Sequence, residues 1–279
     1  MKKFLLNLPK QTARLVITLF IFLWSAFPIL FVVAASFRRQ RDILRYPPKL
    51  FIRPIMNNYI TLWNQWGEFF LTIRNSIVIT LSATLLAAVV SFLAGYAYSR
   101  YRNKFLAGSA IYMIAIRLLP PIVVSLPLFP VVNNLGLSDH HITLILIYTA
   151  FWVSLYSMIM KNFIDEIPRE LDDAAFIDGA SELQTMMRII FPLSVQGLVS
   201  GALFVFVFSW NEYLFAMIFS TTAAKTAPLI ISEIMSTIDG IDWGVLFAAV
   251  TVQLVPVVTL VMVSQKLLVR GLTAGSVKE

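Results

Sequence analysis

The chain contains no cysteine and little charge: Asp, Glu, Lys and Arg make up 13% of its 279 residues, against roughly 25% in an ordinary soluble domain. Without cysteine there are no disulfides, no thiolate metal sites and no thiol catalysis. The only histidines, His140 and His141, are adjacent and so diverge on a helix, and no His-x3-His spacing accompanies them; the pattern of a metal site is missing. No glycine is followed by lysine, so the Gly-x4-Gly-Lys-Ser/Thr phosphate loop is absent and any ATP has to be bound by another chain. Neither a Ser-His-Asp arrangement nor a nucleophile elbow stands out. No internal repeat is visible, which gives an inverted-repeat secondary carrier no support.

What is present is apolar. Hydrophobic residues reach 58%, with 22 Phe and 6 Trp, and the mean hydropathy is +0.80. A soluble fold of this size cannot hide so much apolar surface, and disorder is excluded by the same aromatic content. The reading is an all-α, polytopic membrane protein. A helix needs about 20 apolar residues to cross the hydrocarbon, and six stretches qualify: Leu15 to Ser36, Ser76 to Tyr98, Leu106 to Val132, Ile142 to Met160, Gly197 to Phe219 and Gly244 to Ser264. The first follows Lys2, Lys3, Lys10 and Arg14 but is too long for a signal-peptide core, so a retained helix is expected. Pro120, Pro121, Pro127 and Pro130 should kink the third.

Six spans put both termini on one side. Lys and Arg in the N-terminal tail, at Arg100, Arg102 and Lys104, between spans four and five, and at the C-terminus place that side in the cytoplasm. Arg38, Arg39, Arg41, Arg45, Lys49 and Arg53 run against the rule. The net charge of +7 is largely membrane-flanking and is not a nucleic-acid footprint. The extramembrane pieces are too small to fold alone, so residues 1–279 read as one transmembrane domain with an inside loop over 161–196.

Seven of the fifteen acidic residues fall between Asp165 and Glu182. Pro168 suits a first helical position, the acids after it suit the positive end of the helix dipole, and Gly179 sits where a left-handed residue ends a helix. Ser181 and Gln184 form a capping-box signature that opens a second helix, and Pro192 is expected to close it. Two short helices, 168–178 and 182–191, are predicted. Leu171, Ala174, Ala175 and Ile177, then Leu183, Met186, Met187 and Ile190, give each an apolar face. An interfacial helix resting on anionic lipid would be basic; this one is acidic, which favours docking into a protein groove.

The run Asp173-Ala174-Ala175-x3-Gly179, with Ile189-Ile190-Phe191-Pro192 nine residues further on, resembles the EAA loop of ABC importer permeases. Asp178-Gly179-Ala180-Ser181 has the form typical of carbohydrate importers. Asn75-Ser76, Tyr96-Ala97 with Arg100, Leu119-Pro120-Pro121, Leu126-Pro127-Leu128, Leu135-Gly136-Leu137 and Trp210-Asn211-Glu212 match in order. The tail Gly271 to Lys278 is similar to the maltose-permease type. Asp173 stands for the usual Glu, Phe191 for Leu, and Gln196 where Pro is common.

The resemblance implies a type I importer permease fold and a complex. Its expected members are a second permease subunit making a heterodimer, two ATP-binding subunits carrying ATP and magnesium on the cytoplasmic side, and an extracytoplasmic substrate-binding protein. It assigns Asp173, Ala174, Ala175, Asp178 and Gly179 to ATPase coupling.

A charge at mid-bilayer costs about 2.5–3.5 kcal/mol on insertion scales, so Arg117 and Glu212 each need an account. Either they satisfy partners in the bundle, such as each other, or with Asn211 and Tyr213 they line a polar substrate path. The stripe Ala83, Ala87, Ser91, Gly95 and Ser99, with Gly197 and Gly201, is expected to let helices approach closely. Two rival readings remain: an ion-driven secondary carrier, and a membrane-embedded enzyme acting on lipid.

Overall fold

A computed structural model describes residues 10–47, 53–238 and 240–274, and they contain helices and loops without a strand. In chain order the helices are α1 (Lys10–Ser36), α2 (Gln40–Ile43), α3 (Asn57–Gln65), α4 (Glu68–Arg100), α5 (Lys104–Ile116), α6 (Pro121–Asn134), α7 (His141–Asp165), α8 (Glu170–Ile177), α9 (Glu182–Leu193), α10 (Val195–Trp210), α11 (Leu214–Phe219), α12 (Ala227–Met235) and α13 (Trp243–Ala274). Lys2, Lys3, Lys49 and the end of the C-terminal motif lie outside the described residues.

Among the described residues, four helices are long and apolar enough to cross a membrane, and up to six spans result if each of two bent pairs counts as one. The expected third span is not a kinked helix but two helices, α5 and α6, meeting at 100°. The break lies at Arg117–Pro120, where consecutive prolines force extended backbone: Pro120 has ψ 135° and Pro121 restarts the helix. Pro127 and Pro130 stay inside α6. The expected fifth span, Gly197 to Phe219, is also discontinuous, because α10 ends at Trp210 and α11 begins at Leu214. Pro192 does not close α9. A π turn over Met186–Ile190, with Phe191 N–H bonded to Met186 C=O, carries the helix through to Leu193, widening it just ahead of the proline ring. A 71° bend then leads into α10.

The described residues within 1–69 and 231–254 pack as one compact unit, and those within 70–230 and 255–279 as another. In the first, Asn58 Nδ2 donates to Ser36 C=O at 2.7 Å and Arg38 C=O at 2.8 Å, so one amide captures the carbonyls freed at the end of α1.

The second unit is built on close approach of α4, α7 and α10. Ala83, Ala87, Ser91, Gly95 and Ser99 are all buried, as the stripe predicts. A Cβ at Gly95 would lie 2.5 Å from Met160 Cβ, and one at Gly201 1.9 Å from the Tyr156 ring. The glycine at 201 is the seat of that ring, whose hydroxyl donates to Leu198 C=O at 2.5 Å. Thr149 Oγ1 reaches Ala83 C=O and Ser91 Oγ reaches Val153 C=O. Such hydroxyl-to-carbonyl bonds hold helices together where water offers no alternative partner.

Candidate functional site

At one end of this unit, α7 leads through Pro168 into α8. Glu170, Asp172 and Asp173 fill the first turn of α8, complementing its exposed N–H groups. Gly179 takes φ +80°, and the returning bonds Gly179 N–H to Phe176 C=O (3.0 Å) and Ala180 N–H to Ala175 C=O (2.9 Å) close the helix. Ser181 and Gln184 form the reciprocal capping box, Ser181 N–H donating to Gln184 Oε1 at 2.9 Å. The bend between α8 and α9 is therefore fixed by local chemistry.

Of the five residues assigned to coupling, Asp173, Ala174, Asp178 and Gly179 are exposed and Ala175 is buried. The expected apolar faces divide: Ala175, Met186 and Ile190 are buried, whereas Ile177 is 87% exposed and Leu183 64%, and Leu171, Ala174 and Met187 are also exposed. The inward side of α8 is instead Asp172 and Ala175, three residues apart and so on one face. The outer surface combines acids with unpartnered apolar side chains among the described residues.

Asp172 is not one of the residues that the motif assigns to coupling. Its carboxylate meets Arg100 Nε at 2.6 Å, with side-chain exposures of 11% and 8%. Arg100 also donates to Ile164 C=O (3.3 Å) and Ile167 C=O (3.1 Å). Reciprocally, Arg169 donates to Ser99 C=O at 2.6 Å and Arg100 C=O at 3.4 Å. Ser99 Oγ donates to Asp165 Oδ1 at 2.6 Å. The signal available in the sequence was an arginine ending an apolar span, opposite an acidic loop.

The intramembrane charges do not pair with each other. Glu212 accepts from Tyr148 Oη at 2.9 Å and from the amides of Phe215 (2.9 Å) and Ala216 (3.1 Å), so it caps α11 and ends the span at this point. Asn211 Nδ2 turns back onto Val207 C=O at 2.8 Å, and Tyr213 is half-exposed beside it. Arg117, at the α5–α6 break, lies 5.1 Å from the Trp152 ring and 5.9 Å from Phe151, contacts worth about 0.5–2 kcal/mol each. Its Nη1 is buried without a hydrogen bond. Trp152 in turn stacks on Phe208 at 4.7 Å.

The far end is tied by polar side chains that carry no periodic signal. Asp139 accepts from the amides of Thr221 (2.9 Å), Thr222 (3.1 Å), Ala223 (2.9 Å) and Ala224 (3.0 Å), and from Thr222 Oγ1 at 2.7 Å. Asn75 donates to Ala223 C=O and Lys225 C=O and its Oδ1 faces His141 Nε2 at 2.9 Å, while Ser76 Oγ accepts from Ala227 N–H. Burial pushes the Asp139 carboxyl up, but the Ala223, Ala224 and Thr221 amides and the Thr222 hydroxyl outweigh it and hold the pKa well below the usual range. A depressed carboxyl contributes stability above its unfolded pKa of about 3.9, and that contribution is lost as pH falls below it. The melting temperature of the detergent-solubilised protein should therefore fall from pH 5 to pH 3, and fall less in Asp139→Asn. Asparagine tolerates the φ of 60° at this position, so an equal fall in both proteins would show that this carboxylate is not responsible.

The comparisons agree with this architecture. The family described as binding-protein-dependent transport system inner membrane component matches residues 87–274. The chain is 33% identical over 254 residues to the trehalose/maltose transport system permease of Thermococcus litoralis, covering 90% of this chain and 91% of that one. It is 36% identical over 209 residues to the trehalose transport system permease of Mycobacterium tuberculosis, covering 73% and 75%. With the sulfoquinovosyl glycerol transport system permease of Agrobacterium fabrum it shares 30% over 254 residues, covering 90% and 88%. A chain of a bacterial ABC transporter that imports the acidic polysaccharide alginate superposes with a TM-score of 0.75 at 18% identity, over 92% of this chain and 95% of that one, and shows the same fold. Family membership makes the chain a non-enzymatic, membrane-embedded subunit that works in a complex with an ATPase and a substrate-binding protein. The chain belongs to the inner membrane components of binding-protein-dependent transport systems.

Proposed function

We propose that this chain is a permease of an ATP-driven carbohydrate importer, forms half of the translocation pathway as one functional domain, and pairs with a second, different permease subunit. The carbohydrate class rests on relatives named for trehalose, maltose and sulfoquinovosyl glycerol. Both termini and the α8–α9 surface lie in the cytoplasm. Two ATPase chains bind ATP and magnesium there and grip Asp173, Ala174, Asp178 and Gly179, with Ala175 seating the helix. Closure of the ATPase dimer on ATP carries α8 with it and rocks the spans, so that the central cavity opens outward. Residues near 37–70 and 220–243 receive the loaded binding protein, and 270–279 makes a second ATPase contact. Asn211, Tyr213 and Arg117 line the solute path, and Glu212 sets its shape by holding α11.

The observation that carries this reading is the exposed surface of α8, acidic and apolar together, held at a fixed bend by Gly179 and the capping box. Affinity purification of the tagged chain in mild detergent should bring down an ATPase and a second permease. The reconstituted assembly should import solute only with ATP and binding protein. Gradient-driven uptake by this chain alone would favour the carrier reading instead.

A further inference from the structure

α8 is continuous with α7 through residues 166–169 and with α10 through the π turn and bend of α9, but it has no short covalent route to α4. Its apolar attachment is slight: among its eight residues only Asp172 and Ala175 are buried. A single buried alanine cannot drag neighbouring spans by packing. What joins α8 to the bundle is the pair of arginines.

We infer that Arg100 and Arg169 are transmission residues, which make α4 and α7 move with α8 when the coupling surface is displaced. The inference rests on the coupling reading above. α4 ends at Arg100 and α7 at Asp165, and the last carbonyls of a helix have no partner of their own and carry partial negative charge. Each guanidinium crosses to the other element's terminal carbonyls: Arg100 to Ile164 in the last turn of α7 and Ile167 just past it, Arg169 to Ser99 and Arg100 at the end of α4. Arg100 also holds Asp172 of α8 itself. Asp172 Oδ1 and Arg100 Nε are both buried without a hydrogen bond, so the 2.6 Å approach of Nε to Oδ2 joins Arg100 to this carboxylate as a close ion pair, through charge. A buried ion pair adds little net stability over apolar packing, but it fixes geometry and does not tolerate loss of one partner. Those are the properties of a tie. α10 reaches α8 only across a π turn and a 71° bend, so the tie to α4 and α7 is the stiffer route.

The test uses the complete transporter in liposomes with its binding protein and labelled trehalose as probe, and reads trehalose imported per ATP hydrolysed. Arg100→Gln combined with Asp172→Asn removes the Arg100 arm of the tie without stranding a buried charge, and adding Arg169→Gln removes the other arm. This double variant should co-purify with its ATPase at the wild-type level yet import about tenfold less per ATP. Arg100→Lys keeps the pair with Asp172 and should stay within about threefold of wild type. Coupling unchanged both in the double variant and after Arg169→Gln is added overturns the inference, as does loss of ATPase co-purification, which would make the arginine tie a docking element. A wild-type assembly that imports neither trehalose nor any other carbohydrate its binding protein retains, with ATP present, overturns the importer reading, and this inference with it.

Discussion

Gly179→Val should abolish uptake while leaving the protein in the membrane at its normal level. A Cβ at Gly179 meets nothing within 4 Å, so crowding is not the cause. The cost lies in the backbone: φ is +80°, a region that costs an L-residue about 1–2 kcal/mol and a β-branched one more. Relief requires φ to turn negative, which breaks the returning bonds from Gly179 and Ala180 and swings α8 away from α9. Because the residue is exposed, the core of the unit is untouched and the damage is confined to the surface that the ATPase would grip. Gly179→Asn, which accepts the left-handed conformation at lower cost, should retain most transport. Immunoblotting of membranes beside an uptake assay reads both quantities, and normal uptake in the valine variant would refute the coupling role.

Gly95→Val should have the opposite outcome, with little folded protein recovered at all. Here φ is unremarkable and space decides. The added Cβ would lie 2.5 Å from Met160 Cβ and 2.9 Å from the backbone nitrogen of Lys161, and a backbone atom in the middle of a helix cannot step aside. α4 and α7 would have to separate, releasing the Ser99–Asp165 and Ser91–Val153 hydrogen bonds with them. Overpacking alone typically costs about 1–3 kcal/mol, and lost interhelical bonds add to it. Yield after detergent extraction and the melting temperature of the recovered protein are the measurements; a wild-type yield and melting point would contradict the packing described. Two glycines in one chain thus separate two kinds of failure, one of transmission and one of assembly.

The contrast also shows which features a sequence of this kind makes legible. The α4 stripe is visible because helix periodicity puts a small residue on one face every fourth position, and the structure buries all five. Gly179, Ser181 and Gln184 are visible because helix-end chemistry is local. Arg117 and Glu212 announce themselves as charges in apolar runs, yet their partners do not: Glu212 is claimed by amides three and four residues on and by a phenol on α7, and Arg117 by aromatic faces. The choice between Asp172 and Asp173 is invisible to motif spacing, since which of two neighbouring acids faces inward depends on an arginine 72 residues earlier. The discontinuity at Asn211–Tyr213 is hidden in the sequence for a similar reason, the Glu212 side chain taking the amides of Phe215 and Ala216. The clamp at Asp139 and Asn75 spans sequence separations of 66 to 150 and leaves no periodic trace.

That clamp has a consequence for how a signal could cross the bilayer. Asp139 and Asn75 sew the entrance of α4, the entrance of α7 and the segment after α11 into one rim, and the arginines lash the exits of α4 and α7 together 25 or more residues away. Two adjacent rods fastened at top and bottom, with glycine and alanine pressed between them, bend poorly and shear poorly. A push on the rim therefore arrives at the opposite face as a tilt of the whole strut, without any helix having to unwind on the way.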